Sequence, residues 1–255
     1  MTTLIYIFLI VLGLIFGSFY LVVATRLPKE ESIIKPGSHC DNCKHELKWY
    51  ELIPVVSYII QKGKCRKCGS KIPFITVLIE IITGACFALS YYLYGLDYKF
   101  YALIVLLSIS IIIFISDFKY YIISDEPLFT SIFLIVLLKF VFFGTKAFVF
   151  SILSGIVLFM VFLFVKFFGD RAFKKESLGG GDIKLAILIG VTLGVKLGLA
   201  SFILSTFIAF PYALFISLKK KEGIVPFGPF LISGLIIVFI YMSEIGEFIS
   251  KLYSY

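Results

Sequence analysis

The feature that most limits how this chain folds is a succession of long apolar runs, separated by short loops where the charges gather. A helix crossing a bilayer needs roughly 20 mostly apolar residues, because the hydrocarbon core is about 30 Å thick. Segments of that kind fall at about 3–25, 74–94, 100–117, 127–143, 146–168, 183–197, 199–217 and 228–248. The sixth and seventh are short and nearly fused, so seven spans is the alternative to eight. An apolar content of 60% with only 16% charged residues excludes an ordinary soluble domain. The expected fold is an all-α polytopic membrane protein of about eight transmembrane helices, located in the cell membrane. The first run is too long for a signal peptide and no basic stretch precedes it, so it is expected to remain as a helix.

The charges orient these spans. Arg26 and Lys29 follow the first one, which places the N-terminus outside if basic loops face the cytoplasm. Loops 25–72, 118–126, 166–184 and 218–227 then lie inside and hold 19 of the 24 Lys and Arg residues. The net charge of +8 is therefore a topology signal suited to anionic lipid, and no nucleic-acid-binding module accompanies it.

The longest polar stretch, about 25–72, holds four of the five cysteines. Cys40-Asp41-Asn42-Cys43 and Cys65-Arg66-Lys67-Cys68 are paired Cys-x-x-Cys knuckles, and each can offer two thiolates to one tetrahedral ion. Disulfides would require an oxidising compartment, and a thioredoxin-like unit does not fit in so short a loop. The spacing predicts a structural zinc in a small cytoplasmic zinc-ribbon-like loop, with His39 and His45 as neighbours and not ligands. Between the knuckles, Trp49 to Tyr58 reads as an amphipathic piece lying in the interface plane. Gly13, Gly17 and Ser18 suit close helix packing. Cys86 is expected to be buried, and Glu80 to pair with a basic residue of the loop.

Two acids stand apart. Asp117 ends the third apolar run, and Asp182 follows Gly179-Gly180-Gly181 where a polar loop enters an apolar helix. An acid at that depth is costly and reads as a functional candidate. Two carboxylates sharing a site hold one proton between them, so one can deprotonate a water while the other polarises a carbonyl. The glycines would let an extended backbone approach. On spacing alone, Asp182 serves equally well as an N-cap, and Asp125 before Pro127 reads as a cap. Lys184 follows on the same helix. Pro226 and Pro229 around Gly228 predict a broken, re-entrant helix start, and loop 166–177 reads as mobile. With no histidine outside the cysteine loop, a Ser/His dyad has no base, and no His-Glu-x-x-His or P-loop is present.

In order along the chain, Gly17-Ser18-Phe19 with Arg26-Leu27-Pro28, the paired knuckles, Glu51-Leu52-Ile53-Pro54, Gly63-Lys64-Cys65-Arg66, the Asp117 segment, Gly179 to Leu185 and Pro226-Phe227-Gly228-Pro229 resemble the type IV prepilin peptidases. That resemblance implies eight spans, a site facing the cytoplasm with catalytic Asp117 and Asp182, and cleavage of prepilins or pseudopilins after the glycine that ends a short basic leader. Site-shaping roles would fall to Gly179, Gly180, Gly181, Lys184, Pro226 and Gly228. Many members also methylate the new N-terminus with S-adenosylmethionine, for which no donor site is readable here. Tyr20-Leu21 stands where common members have Leu-Asn, a departure resembling the Gram-positive competence-pilus branch, and Ser124-Asp125 stands where they have Pro-Asp. The expected division is an N-terminal region, 1–98, and an aspartyl peptidase membrane domain, 99–255. The reading from another class is a transporter or scaffold with a structural zinc loop.

Overall fold

The computed structural model describes residues 2–174, 177–219 and 225–252. Among them the chain is helical apart from its loops and two isolated β-bridges. It forms two compact units, Met1–Phe100 and Tyr101–Tyr255.

The first unit is built on α1 (Thr2–Arg26) and α3 (Phe74–Tyr94). Their backbones touch at glycines: a Cβ on Gly13 would stand 2.7 Å from the Cα of Gly84, and one on Gly17 2.8 Å from the Cα of Glu80. The small residues of α1 thus serve helix approach, as expected of membrane interfaces. Arg26 closes α1 and donates to the carbonyls of Ser32, Pro36 and Gly37, which turns the chain back across the helix end. A short helix, α2 (Val56–Ile60), lies between the cysteine knuckles. Cys86 is half-buried on α3 and not enclosed as expected.

The second unit holds most of α4 (Tyr98–Tyr120), together with α5 (Asp125–Phe173), α6 (Gly180–Leu218), α7 (Gly228–Ile240) and α8 (Met242–Leu252). At 1.5 Å per residue, the 49 residues of α5 and the 39 of α6 rise roughly 74 and 58 Å, about twice the thickness of a hydrocarbon core. Each is broken once, at Gly144 (φ 77°) and Gly194 (φ 77°). These are backbone states that only glycine adopts at little cost. Among the described residues, five helices are long and apolar enough to cross a membrane, and the α7–α8 pair, bent by 84°, makes a sixth if taken as one span. The larger number read from the sequence arises because α5 and α6 each contain two of the expected segments. The segment expected at 228–248 is not straight: α7 ends at Ile240, and the chain turns into the amphipathic α8.

Helices α5, α6 and α7 pack side by side, again through small residues. A Cβ on Gly190 would lie 2.6 Å from the Cα of Gly155, and one on Gly234 2.7 Å from the carbonyl oxygen of Ser201. Within 166–177, α5 continues to Phe173, Asp170 accepts from the N–H and hydroxyl of Ser177 at 2.6 and 2.8 Å, and Lys166 Nζ donates to the carbonyl of Leu178 at 2.7 Å. Lys175, Glu176 and 220–224 lie outside the described residues.

Candidate active site and metal centre

Asp117 occupies the last turn of α4 and is only 6% exposed. Helical side chains tilt toward the N-terminus, so its carboxylate lies below the helix end. The helix stops just beyond it, where Tyr121 adopts φ 57° and its N–H reaches the Asp117 carbonyl at 3.0 Å. The N–H of Gly228, the first residue of α7, donates to Asp117 Oδ2 at 3.1 Å. Only glycine fits there, since a Cβ would sit 2.8 Å from that oxygen and 2.8 Å from Ile123 Cδ1. The Pro226–Pro229 stretch is therefore a helix start more than a helix break: Pro226 is buried just before α7, and Pro229 sits in its first turn, where a missing N–H is harmless.

Asp182, 9% exposed, lies in the first turn of α6. The N-cap is Gly179, so Asp182 is not itself the cap, although its carboxylate reaches back to the Gly179 N–H in the manner of a capping box. Asp117 and Asp182 are close enough to feel each other's charge, and Lys166 also acts on Asp182. Ile123 fills the space between the two helix starts: it meets Gly228 on one side, and on the other a Cβ on Gly181 would approach it to 2.9 Å. A Cβ on Gly180 would meet nothing within 4 Å. Of the three glycines, Gly181 is closed by packing and Gly180 faces open space.

Asp125 is not the cap of α5. Ser124 holds that position, and Asp125 accepts two 2.7 Å hydrogen bonds from Lys184 Nζ. This pair joins the first turns of α5 and α6 beside Asp182. Ile123, Lys166 and Asp125 were not assigned to the site from sequence. An isoleucine in an apolar chain carries no signal, whereas the pairing of Asp125 with Lys184 was open to a search for opposite charges near span ends.

The four cysteine thiols converge, their sulfurs all within 4.8 Å of one another. Cys40 and Cys68 are 3.7 Å apart, and Cys43 and Cys65 4.0 Å. A tetrahedral ion with 2.3 Å bonds to sulfur sets its ligands roughly 3.8 Å apart, so the cluster could hold such a metal. Both knuckles use the same turn. The N–H of Lys44 donates to the Cys40 carbonyl and that of Gly69 to the Cys65 carbonyl, each at 2.9 Å, with positive φ at Lys44 (56°) and Gly69 (71°). The Ser70 hydroxyl lowers the Cys40 thiol to about 6 and lowers Cys68 as well. At Cys43 the His45 backbone N–H pulls down, but desolvation and the neighbouring thiols prevail and raise it to about 11. Neither histidine joins the cluster: His45 Nε2 lies 3.5 Å from Glu51, and His39 Nδ1 3.0 Å from the Gly37 carbonyl. Among the described residues Glu80 has no basic partner; it accepts from the Val55 N–H at 2.8 Å, with Ser18 beside it.

Residues 11–94 match the bacterial peptidase A24 N-terminal domain, and residues 104–214 the type IV leader peptidase family. The cysteine cluster falls in the first match, and Asp117 and Asp182 in the second. The chain is 32% identical over 252 residues to a prepilin leader peptidase/N-methyltransferase of Bacillus subtilis, covering 96% of this chain and 97% of that one. It is 32% identical over 253 residues to a protein of the same description from Vibrio cholerae, covering 92% and 97%. No solved structure matches it. With relatives matched end to end and both halves of the peptidase recognised, this chain belongs to the type IV leader peptidase family.

Proposed function

We propose that this chain is an intramembrane aspartyl endopeptidase that removes the short basic leader of type IV prepilins or pseudopilins. Cleavage follows a glycine, at the cytoplasmic face of the membrane. The observation that carries this reading is the placement of Asp117 and Asp182 at two buried helix ends within electrostatic reach of each other. The Gly228 N–H occupies Oδ2 of Asp117 and leaves Oδ1 for a proton or a water. One carboxylate takes a proton from the attacking water while the other, protonated, donates to the scissile carbonyl. The tetrahedral diol then collapses to a new carboxyl and a free amine, with the proton returned. Gly180 borders the open side from which an extended peptide enters. Replacement of either aspartate by asparagine should lower prepilin cleavage in membranes by about 10²-fold or more at unchanged protein level; near-normal cleavage in either variant would refute the dyad.

The cysteine cluster holds a structural zinc. Four thiolates close the coordination sphere, and the metal would fix a loop too short for a core of its own. The relatives are also named N-methyltransferases, and on that name a second activity is proposed, N-methylation of the new N-terminus with S-adenosylmethionine as donor. It is tested by incubating purified protein with labelled methyl donor and prepilin, where unmodified mature pilin counts against it. The transporter reading has little left to stand on, because its sites belong near the bilayer midplane and these acids lie at helix ends.

A further inference from the structure

Val55 is a β-branched residue held at φ 62°, ψ −50°, a region such residues almost never occupy. The N–H of Val56 reaches back to the carbonyl of Pro54 at 2.6 Å, which makes Pro54-Val55-Val56 a strained γ-turn. Strain of this kind persists only where surroundings impose it. Here they do: the Val55 N–H is bonded to Glu80, a buried residue of α3. With 21 residues, α3 rises roughly 31 Å, about the hydrocarbon thickness. Glu80 lies six residues beyond Phe74, so its Cα sits roughly 9 Å along the span. The side chain tilts back toward the helix start, so with the membrane boundary at Phe74 the turn it binds would lie a few ångströms inside it.

The residues around this turn are apolar and uncovered. Ile53, Val56, Ile59 and Ile60 are exposed, and Tyr58 sets its ring against Phe74, itself exposed at the head of α3. The uncovered face of α2 is thus continuous with the lipid-facing start of a membrane span. We propose that residues 49–60 are an interfacial anchor dipping into the bilayer, bolted to α3 by Glu80, so that the cysteine cluster is held at the headgroup layer. The occupant of this face is lipid. Its main attraction is apolar burial, with Lys62, Lys64 and Arg66 next in sequence to meet the headgroups.

The chain has a single tryptophan, Trp49, which is 77% exposed at the start of this segment. The test uses the full chain in lipid nanodiscs. Trp49 emission should be blue-shifted and strongly quenched by lipids brominated high on the acyl chain, more weakly by those brominated deep. Quenching should survive high salt and a change to zwitterionic lipid. Ile59→Glu with Ile60→Glu, and separately Glu80→Ala, should each shift the emission red and remove the quenching. A red, lipid-insensitive emission in the unaltered protein would overturn the anchor. Loss of quenching at high salt would replace it with surface adsorption, and unchanged quenching in Glu80→Ala would remove the bolt.

Discussion

Glu80 and Asp117 are both carboxylates inside membrane-spanning helices, 7% and 6% exposed, and each accepts one backbone N–H from a neighbouring segment. Their surroundings differ. Glu80 accepts from the Val55 N–H with Ser18 beside it and, among the described residues, no other acid in electrostatic reach, so it joins a loop to a helix. Asp117 faces a second carboxylate, and the glycine that meets it leaves no room for a side chain. Burial alone therefore does not separate the acid proposed as catalytic from the other. What distinguishes the two is whether the remaining oxygen is spoken for.

The sharpest way to break this comparison is to neutralise both acids. Asp117→Asn should lower prepilin cleavage by about 10²–10⁴-fold, the usual weight of acid–base catalysis. Glu80→Gln, which keeps an acceptor for Val55, should leave cleavage near normal. Gel-shift assays in membranes, normalised by immunoblot, read both, and equal losses would erase the distinction.

Zinc comes next in size. Metal analysis should find about one ion per chain, and Cys43→Ser should lose it, with a fall in thermal stability of the loop. In the metal-free protein Cys43, near 11, is a thiol at neutral pH. Metal uptake must then release its proton, and affinity measured by chelator competition should rise with pH.

The glycines separate in a subtler way. Gly228→Ala forces a Cβ against Asp117 and Ile123, an overpacking worth about 1–3 kcal/mol, and should depress kcat. Gly180→Ala meets open space and should keep stability and kcat while raising KM if the peptide passes there. The smallest effect belongs to the Asp125–Lys184 pair, whose side chains are nearly half exposed. Lys184→Met should cost about 0.2–1 kcal/mol of stability, and adding Asp125→Asn should cost little more. A double-mutant cycle on thermal unfolding decides it.

Much of this was legible in the sequence, because membrane spans are written in long apolar runs and paired cysteine knuckles announce their chemistry. The break in α5 at Gly144 falls where the sequence placed the boundary between 143 and 146. The break in α6 was misplaced, drawn near Gly198 when it lies at Gly194. Gly190, Gly194 and Gly198 look alike in a sequence. Only Gly194 has positive φ, while Gly198 gives room to Leu158 and Gly190 to Gly155. A glycine kept for its backbone freedom cannot be told by spacing from one kept for closeness. Polar partners were equally hidden. Glu80 was matched with a cation and found an amide, and Asp125 was read as a cap and found Lys184, because both bonds join segments distant along the chain.

The break at Gly194 bears on how hydrolysis is supplied. From Gly180 to Gly194 the helix rises only roughly 21 Å, short of the 30 Å or so of hydrocarbon a span must cross. A stub of that length would leave a dimple in the lipid at its polar end for bulk solvent to fill. Asp182 stands at that end, so the water of the proposed hydrolysis would arrive by wetting from the loop side.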